Sequence, residues 1–300
     1  MKHKRFNHSS SNCDRFAKMC FLLLAVLWSG VTPATGQAQG AGQPQAPYRA
    51  PRTADGKPDL NGIWQALNSA NWDIQGHAAQ PSPFPELLGA IGAAPPGQGV
   101  VEGNEIPYQP WAAAKKKENF EKRLSPDSFA DVYNRNGGDP EARCYLPGVP
   151  RATYMPFPFQ IVQAQKSILF AYEYAVASRT ILMDSKLESP VESWMGWSRG
   201  HWEGETLVVD VTDFNESTWF DRVGNFHSDA LHVVERYTAM SPYHLQYEAT
   251  IEDPKVFTWP WKMSMPLYRR MDKNVQIMEF KCVEFAEPLM YRSLRKQTSK

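Results

Sequence analysis

The sequence has no apolar run long enough to span a bilayer, which takes roughly 20 residues; its best, Cys20–Trp28, falls far short. It has no G-x-G-x-x-G fingerprint and no P-loop, so nucleotide cofactors are disfavoured and no cofactor is expected. Charge of one sign is missing too. Its 32 Lys and Arg balance 32 Asp and Glu, with no basic cluster, which leaves no electrostatic footprint for nucleic acid. Cysteine is scarce, four in all and none in a C-x-x-C pair, which argues against a thiolate metal site. The G-x-S-x-G match at Gly196-Trp197-Ser198-Arg199-Gly200 has β-hairpin flanks, not the strand-to-helix turn of a nucleophile elbow. Nucleophilic catalysis at Ser198 is therefore not expected.

What is present at the N-terminus points to export. Lys2, Lys4, Arg5, Arg15 and Lys18 precede the short apolar run, and Gly36-Gln37-Ala38 has the small-residue pattern of a signal-peptide cleavage site. Residues 1–38 are expected to be a signal peptide cleaved after Ala38, the alternative being an uncleaved anchor. No cysteine ends the apolar run, which argues against a lipoprotein. The expected location is the periplasm or the cell exterior, with no membrane span in the mature chain. Residues 1–38 hold five Lys or Arg and Asp14, a net +4 in a neutral chain, so the mature protein is about −4. Cys13 and Cys20 leave with the signal. Cys144 and Cys282 remain in an oxidising compartment and are expected to pair, with two buried free thiols as the alternative. Closing so long a loop is worth roughly 4–5 kcal/mol in the chain-entropy model.

Residues 39–58, rich in Gly, Gln, Pro and Ala, have the composition of a disordered linker. Residues 59–300 are expected to be a single β-rich domain. Within it, 65–150 form an irregular extension with one helix from Ala112 to Leu124, started by Pro110 and stopped by Ser125-Pro126. From 151 to 283 the hydrophobic period is two. Strands are expected at Phe159–Gln163, Ile168–Tyr174, Arg179–Asp184, Trp197–Trp202, Thr206–Thr212, Leu231–Thr238, Leu245–Ile251, Trp261–Tyr268 and Val275–Lys281. So many short strands with almost no helix between them indicate an all-β, predominantly antiparallel sandwich or barrel. A barrel is preferred because closure removes exposed edges.

The densest polar stretch is Asp221–Arg236, with His227, Asp229, His232, Glu235 and Arg236. On a strand His232 and Glu235 point to opposite faces, so a metal site from this segment is strained and no metal is expected. Two readings stay open: hydrogen-bond caps at a barrel rim, or an acid/base pair. In the second, His227 or His232 moves the proton, Asp221 or Glu235 orients it, and Arg236 holds an anionic group. Carboxylate pairs for glycoside hydrolysis could be drawn from Asp210, Asp213, Glu216 and Asp221, with little to single them out. Trp194, Trp197, Trp219, Phe159 and Tyr172 are candidate ligand contacts, since aromatics at alternating positions either fill a core or line a pocket.

Several motifs resemble a large family of secreted bacterial proteins without an assigned activity. They are Pro58-Asp59-Leu60-Asn61-Gly62-Ile63-Trp64, Arg143-Cys144-Tyr145-Leu146-Pro147-Gly148, the run from Trp194 to Asp210, and Leu231-His232-Val233-Val234-Glu235-Arg236. The resemblance implies export, one mature domain and the Cys144–Cys282 pair, and supplies no catalytic residues. A Cys-His-Glu run is expected of that family, whereas here Val283 and Glu284 follow Cys282. Gly62-Ile63-Trp64 is also similar to the opening of lipocalin-type barrels, in which an arginine (here Arg269 or Arg270) covers the tryptophan. That likeness implies a small apolar ligand. The expected function is binding of an apolar or aromatic small molecule, with a hydrolase or isomerase acting on one as the rival. An interaction module would instead expose Trp259 and Trp261 around Pro260.

Overall fold

The computed structural model describes residues 48–82, 93–123 and 138–281. The expected signal segment, the linker up to residue 47 and Cys282 lie outside them. Nine strands form one closed barrel: β1 (Gly62–Ala66), β2 (Phe159–Gln163), β3 (Ser167–Tyr172), β4 (Ser178–Met183), β5 (Trp197–Glu203), β6 (Thr206–Thr212), β7 (His232–Ser241), β8 (His244–Glu252) and β9 (Trp261–Arg269). The order round the barrel is the chain order, and β1 pairs with β9 to close it. Every neighbouring pair is antiparallel except β4–β5, where Ile181 faces Ser198 and Met183 faces Gly200 in parallel register. Among the described residues the α-helices are α1 (Pro110–Lys122) and a short α2 (Arg151–Tyr154).

Alternation along each strand sends one parity inward. On β7 the inward set is Val233, Glu235, Tyr237 and Ala239; on β8 it is Leu245, Tyr247, Ala249 and Ile251; all are buried. The registers put the start of β1, the β2–β3, β5–β6 and β7–β8 turns, and the ends of β4 and β9 at one rim, here called the mouth. The opposite end is closed by residues 67–82, 93–123, 138–158 and 213–231. There α2 is pinned by Arg151, buried and donating to Asp139 Oδ1 and Oδ2 (2.8 and 2.9 Å), Glu141 (3.2 Å) and Asn71 (2.8 Å).

Two expectations change. Val275–Lys281 is not a strand; the free edge of β9 that it would have paired with is taken by β1 instead. Residues 48–58, compositionally linker, form an ordered hairpin with an Arg52–Pro58 bridge and a buried Ala50. The P-D-L-N-G-I-W motif explains how that hairpin is rooted. Gln163 on β2 accepts from Leu60 N, donates its N–H to Asn61 Oδ1 (2.7 Å) and its Nε2 to Pro58 O (3.0 Å). Trp64 donates Nε1 to Leu60 O (3.0 Å), and Arg269 stacks 4.1 Å above its ring while donating to Asn61 O (2.6 Å). Gly62 has φ +141°, and a Cβ there would lie 2.1 Å from Arg269 Nη1. Gly62→Ala is therefore expected to lose about 1–3 kcal/mol, from backbone strain and the displaced arginine. Chemical denaturation measures it, and an unchanged midpoint would show that neither constraint holds.

Candidate functional site

The inward parity carries one polar group of residues within the aromatic core. Arg179 on β4 donates Nη1 to Glu235 Oε2 on β7 (2.6 Å), and the two side chains are 3% and 0% exposed. Arg179 also donates Nε to Tyr172 OH (3.0 Å), Nη2 to Tyr237 OH (3.1 Å) and Nη1 to Ser198 Oγ (3.4 Å). Glu235 Oε1 accepts from Tyr237 OH (2.8 Å) and Tyr247 OH (2.9 Å). Thr153 of α2 reaches Tyr237 OH at 3.4 Å, which ties the plug to the network. Burial pushes the Tyr172, Tyr237 and Tyr247 phenols up, so all three stay neutral. The Phe170 ring lies 5.0 Å from the guanidinium. Above this polar layer, toward the mouth, Ile168 and Ile181 form an apolar layer.

The structure disperses the expected acid/base set. Glu235 lies in that sealed network. His227 is buried beyond the far rim between Phe214 and Phe220. It donates Nδ1–H to Ser228 O (2.8 Å) and accepts from Thr218 Oγ1 at Nε2 (2.6 Å). Burial lowers its pKa, so it is a neutral, fully engaged imidazole. His232 stands on the outer face of β7 with Asp210 on Nε2 (3.0 Å) and Glu252 on Nδ1 (3.3 Å). To donate to both it must be doubly protonated, and the bond to Asp210 does raise its pKa. Asp221 is buried in a turn of its own. Arg236 is on the outer face, paired with Glu203 at 2.9 Å. Ser198 is buried on a strand, with no elbow around it.

Of the expected ligand aromatics, Phe159 and Tyr172 meet inside the barrel, centroids 5.4 Å apart and both buried. Trp194 packs edge-on against Tyr145 (5.0 Å), Trp197 caps Leu187 O (3.0 Å) on the outside, and Trp219 packs on the core at the far end. Trp259 is exposed but Trp261 is buried, so the pair makes no shared outward patch. The barrel axis itself is filled by Trp64, Phe159, Phe170, Tyr237 and Tyr247.

Open space occurs instead at the mouth. A cleft of about 490 Å³ lies between the 53–57 turn of the N-terminal hairpin and the rim of β2–β5. Ile168, Met183 and Trp202 give it an apolar floor, and Thr53, Asp55, Lys57, Gln163 and Asp184 a polar border. Trp202 was not among the expected contacts. Its signal was parity: at the mouth end of β5 it continues the inward series of Ser198 and Gly200. A smaller cleft of about 380 Å³ on the outer face, lined by Lys186, Arg199, His201 and Asp210, shares Asp184 with the first. Compared with known proteins, the chain matches no family model, no curated protein and no solved structure. What stands of the expected likenesses is the closed barrel itself.

Proposed function

We propose that the chain is an exported, lipocalin-like protein that binds an apolar or aromatic small molecule at the mouth of its barrel. The observation that carries this is the mouth cleft. Its size is within the roughly 300–1,000 Å³ of small-molecule sites, and it combines an apolar floor with a few polar groups at the edge. The filled axis beneath gives the floor rigidity. A hydrolase or isomerase reading has no comparable support, since both nitrogens of His227 and of His232 are already engaged. Export fits the same reading, and a Cys144–Cys282 pair is part of the proposal.

Native mass spectrometry of gently purified mature protein should show a non-covalent organic mass released on denaturation. In titrations with 1-anilinonaphthalene-8-sulfonate, Trp202→Ala is expected to weaken binding about tenfold, the loss of one aromatic contact. Trp259→Ala should leave it unchanged. Equal affinities for parent and Trp202→Ala would place any ligand elsewhere.

A further inference from the structure

The hairpin that walls the mouth cleft is anchored very differently at its two ends. Its root, Pro58–Asn61, is fixed to the β1–β2–β9 rim by Gln163 and Arg269. Tyr48 packs on the core and Ala50 is buried, so the incoming arm is held at the same side. From there the hairpin crosses the mouth. Its tip folds on itself, with Thr53 N donating to Lys57 O (2.9 Å), Gly56 N to Thr53 O (2.9 Å) and Thr53 Oγ1 to Asp55 Oδ1. Across the mouth, Arg52 is ion-paired with Glu205 in the β5–β6 turn, the two side chains 40% and 31% exposed. Glu205 Oε2 is covered there and has no hydrogen-bond partner.

We infer that residues 51–57 form a flap over the barrel mouth, hinged at the fixed root by the β1 rim and latched by Arg52–Glu205, and that opening this latch admits the ligand. The inference rests on the mouth being the binding site. Three features make the latch releasable. An ion pair this exposed is weak and screened by salt. The closed position covers one carboxylate oxygen without giving it a donor, which offsets part of the pair's attraction. The hydrogen bonds of the tip are internal to the hairpin, so it can swing as a unit without breaking them. Opening would uncover Met183 and Trp202 from the side where Thr53, Asp55 and Lys57 now stand.

The test uses Met183→Cys in the mature chain and the rate of its alkylation by iodoacetamide, a neutral reagent, followed by mass. Glu205→Ala on this background should raise the rate about fivefold at low salt, the scale of an exposed ion pair. About 0.5 M NaCl should do the same to the parent and add little to the variant, because the Debye length is then only a few ångströms. Exchanging the charges, Arg52→Glu with Glu205→Arg, should restore the slow rate. Ala54→Cys, exposed at the flap tip, should react at one rate throughout. Equal rates at Met183→Cys with and without Glu205 overturn the flap, whatever the dye binding shows. Rates that respond as expected while 1-anilinonaphthalene-8-sulfonate fails to bind would keep the flap and sink the ligand reading.

Discussion

Glu235→Ala is expected to lower the unfolding free energy by about 3–5 kcal/mol, the scale of removing one partner from a buried ion pair. The guanidinium of Arg179 would be left at the centre of the barrel with tyrosines and Ser198 around it and no anion. The hydroxyls of Tyr237 and Tyr247 would lose the carboxylate oxygen they share. Domains hold about 5–15 kcal/mol in total, so this variant should sit close to unfolding at ambient temperature. Urea unfolding reads the effect as a lowered midpoint at constant slope. A loss below about 1 kcal/mol would mean that water reaches the pair and the barrel is not sealed.

The same network allows a sharper comparison. A buried ion pair is weak support for stability, because desolvating both charges costs nearly what their attraction returns. Replacing the whole set, Arg179→Met with Glu235→Leu, Tyr237→Phe and Tyr247→Phe, should therefore be far milder than Glu235→Ala alone. If it is, the network's role is to fix which residues face inward and to hold α2 through Thr153, not to add net stability. The apolar layer of Ile168 and Ile181 separates the network from the mouth cleft. Dye affinity at the mouth should accordingly follow Trp202 and ignore the quadruple variant.

The strands were legible in the sequence because each buries one parity, and a period of two survives local noise. The likeness to lipocalin-type barrels implied an arginine over Trp64, either Arg269 or Arg270, and Arg269 is the one that stacks there. Less visible was which strand closes the barrel. Gly62–Ala66 and Val275–Lys281 both offer short alternating segments, and pairing with β9 is decided by the root contacts of Gln163 and Arg269, which are remote in sequence. The parallel β4–β5 pair was hidden because its connection, residues 184–196, runs down the outside of the barrel without the helix that normally marks a crossover. For the site, proximity along the chain misled. His227, His232 and Glu235 are neighbours in sequence, yet they point beyond the barrel end, outside it and inside it. The better signal was a charge on the core parity: Arg179 shares its parity with Ile181, and Glu235 shares its with Val233 and Tyr237.

Asp221 was expected to tune a histidine, but it organises a turn, and its removal should be the second large loss. Its Oδ1 accepts from the backbone of Val223 and Asn225 (both 3.1 Å), and its Oδ2 from Ile74 N (3.0 Å) and Asn225 Nδ2 (2.5 Å). Asn225 in turn accepts from Tyr108 OH (2.8 Å), so one carboxylate joins the 213–231 loop to the extension that closes the far end. Asp221→Ala strands three backbone N–H groups at about 1–3 kcal/mol each, partly relieved by water, for an expected loss of about 3–5 kcal/mol. Asp221→Asn keeps the shape but turns an NH₂ toward N–H donors, and should cost somewhat less. Burial, aided by the nearby Asp73, pushes the Asp221 carboxyl up to about 7 against an ordinary 3.8. Between those values the folded chain holds a proton that the unfolded chain has released. Its contribution to stability is therefore greatest below about pH 4 and declines as pH rises toward 7. Asp221→Asn should flatten that decline in urea midpoints measured across the window, because the group that titrates is gone. A slope identical to the parent's would assign the pH dependence to other groups, with Asp73, also raised by burial, the first to examine.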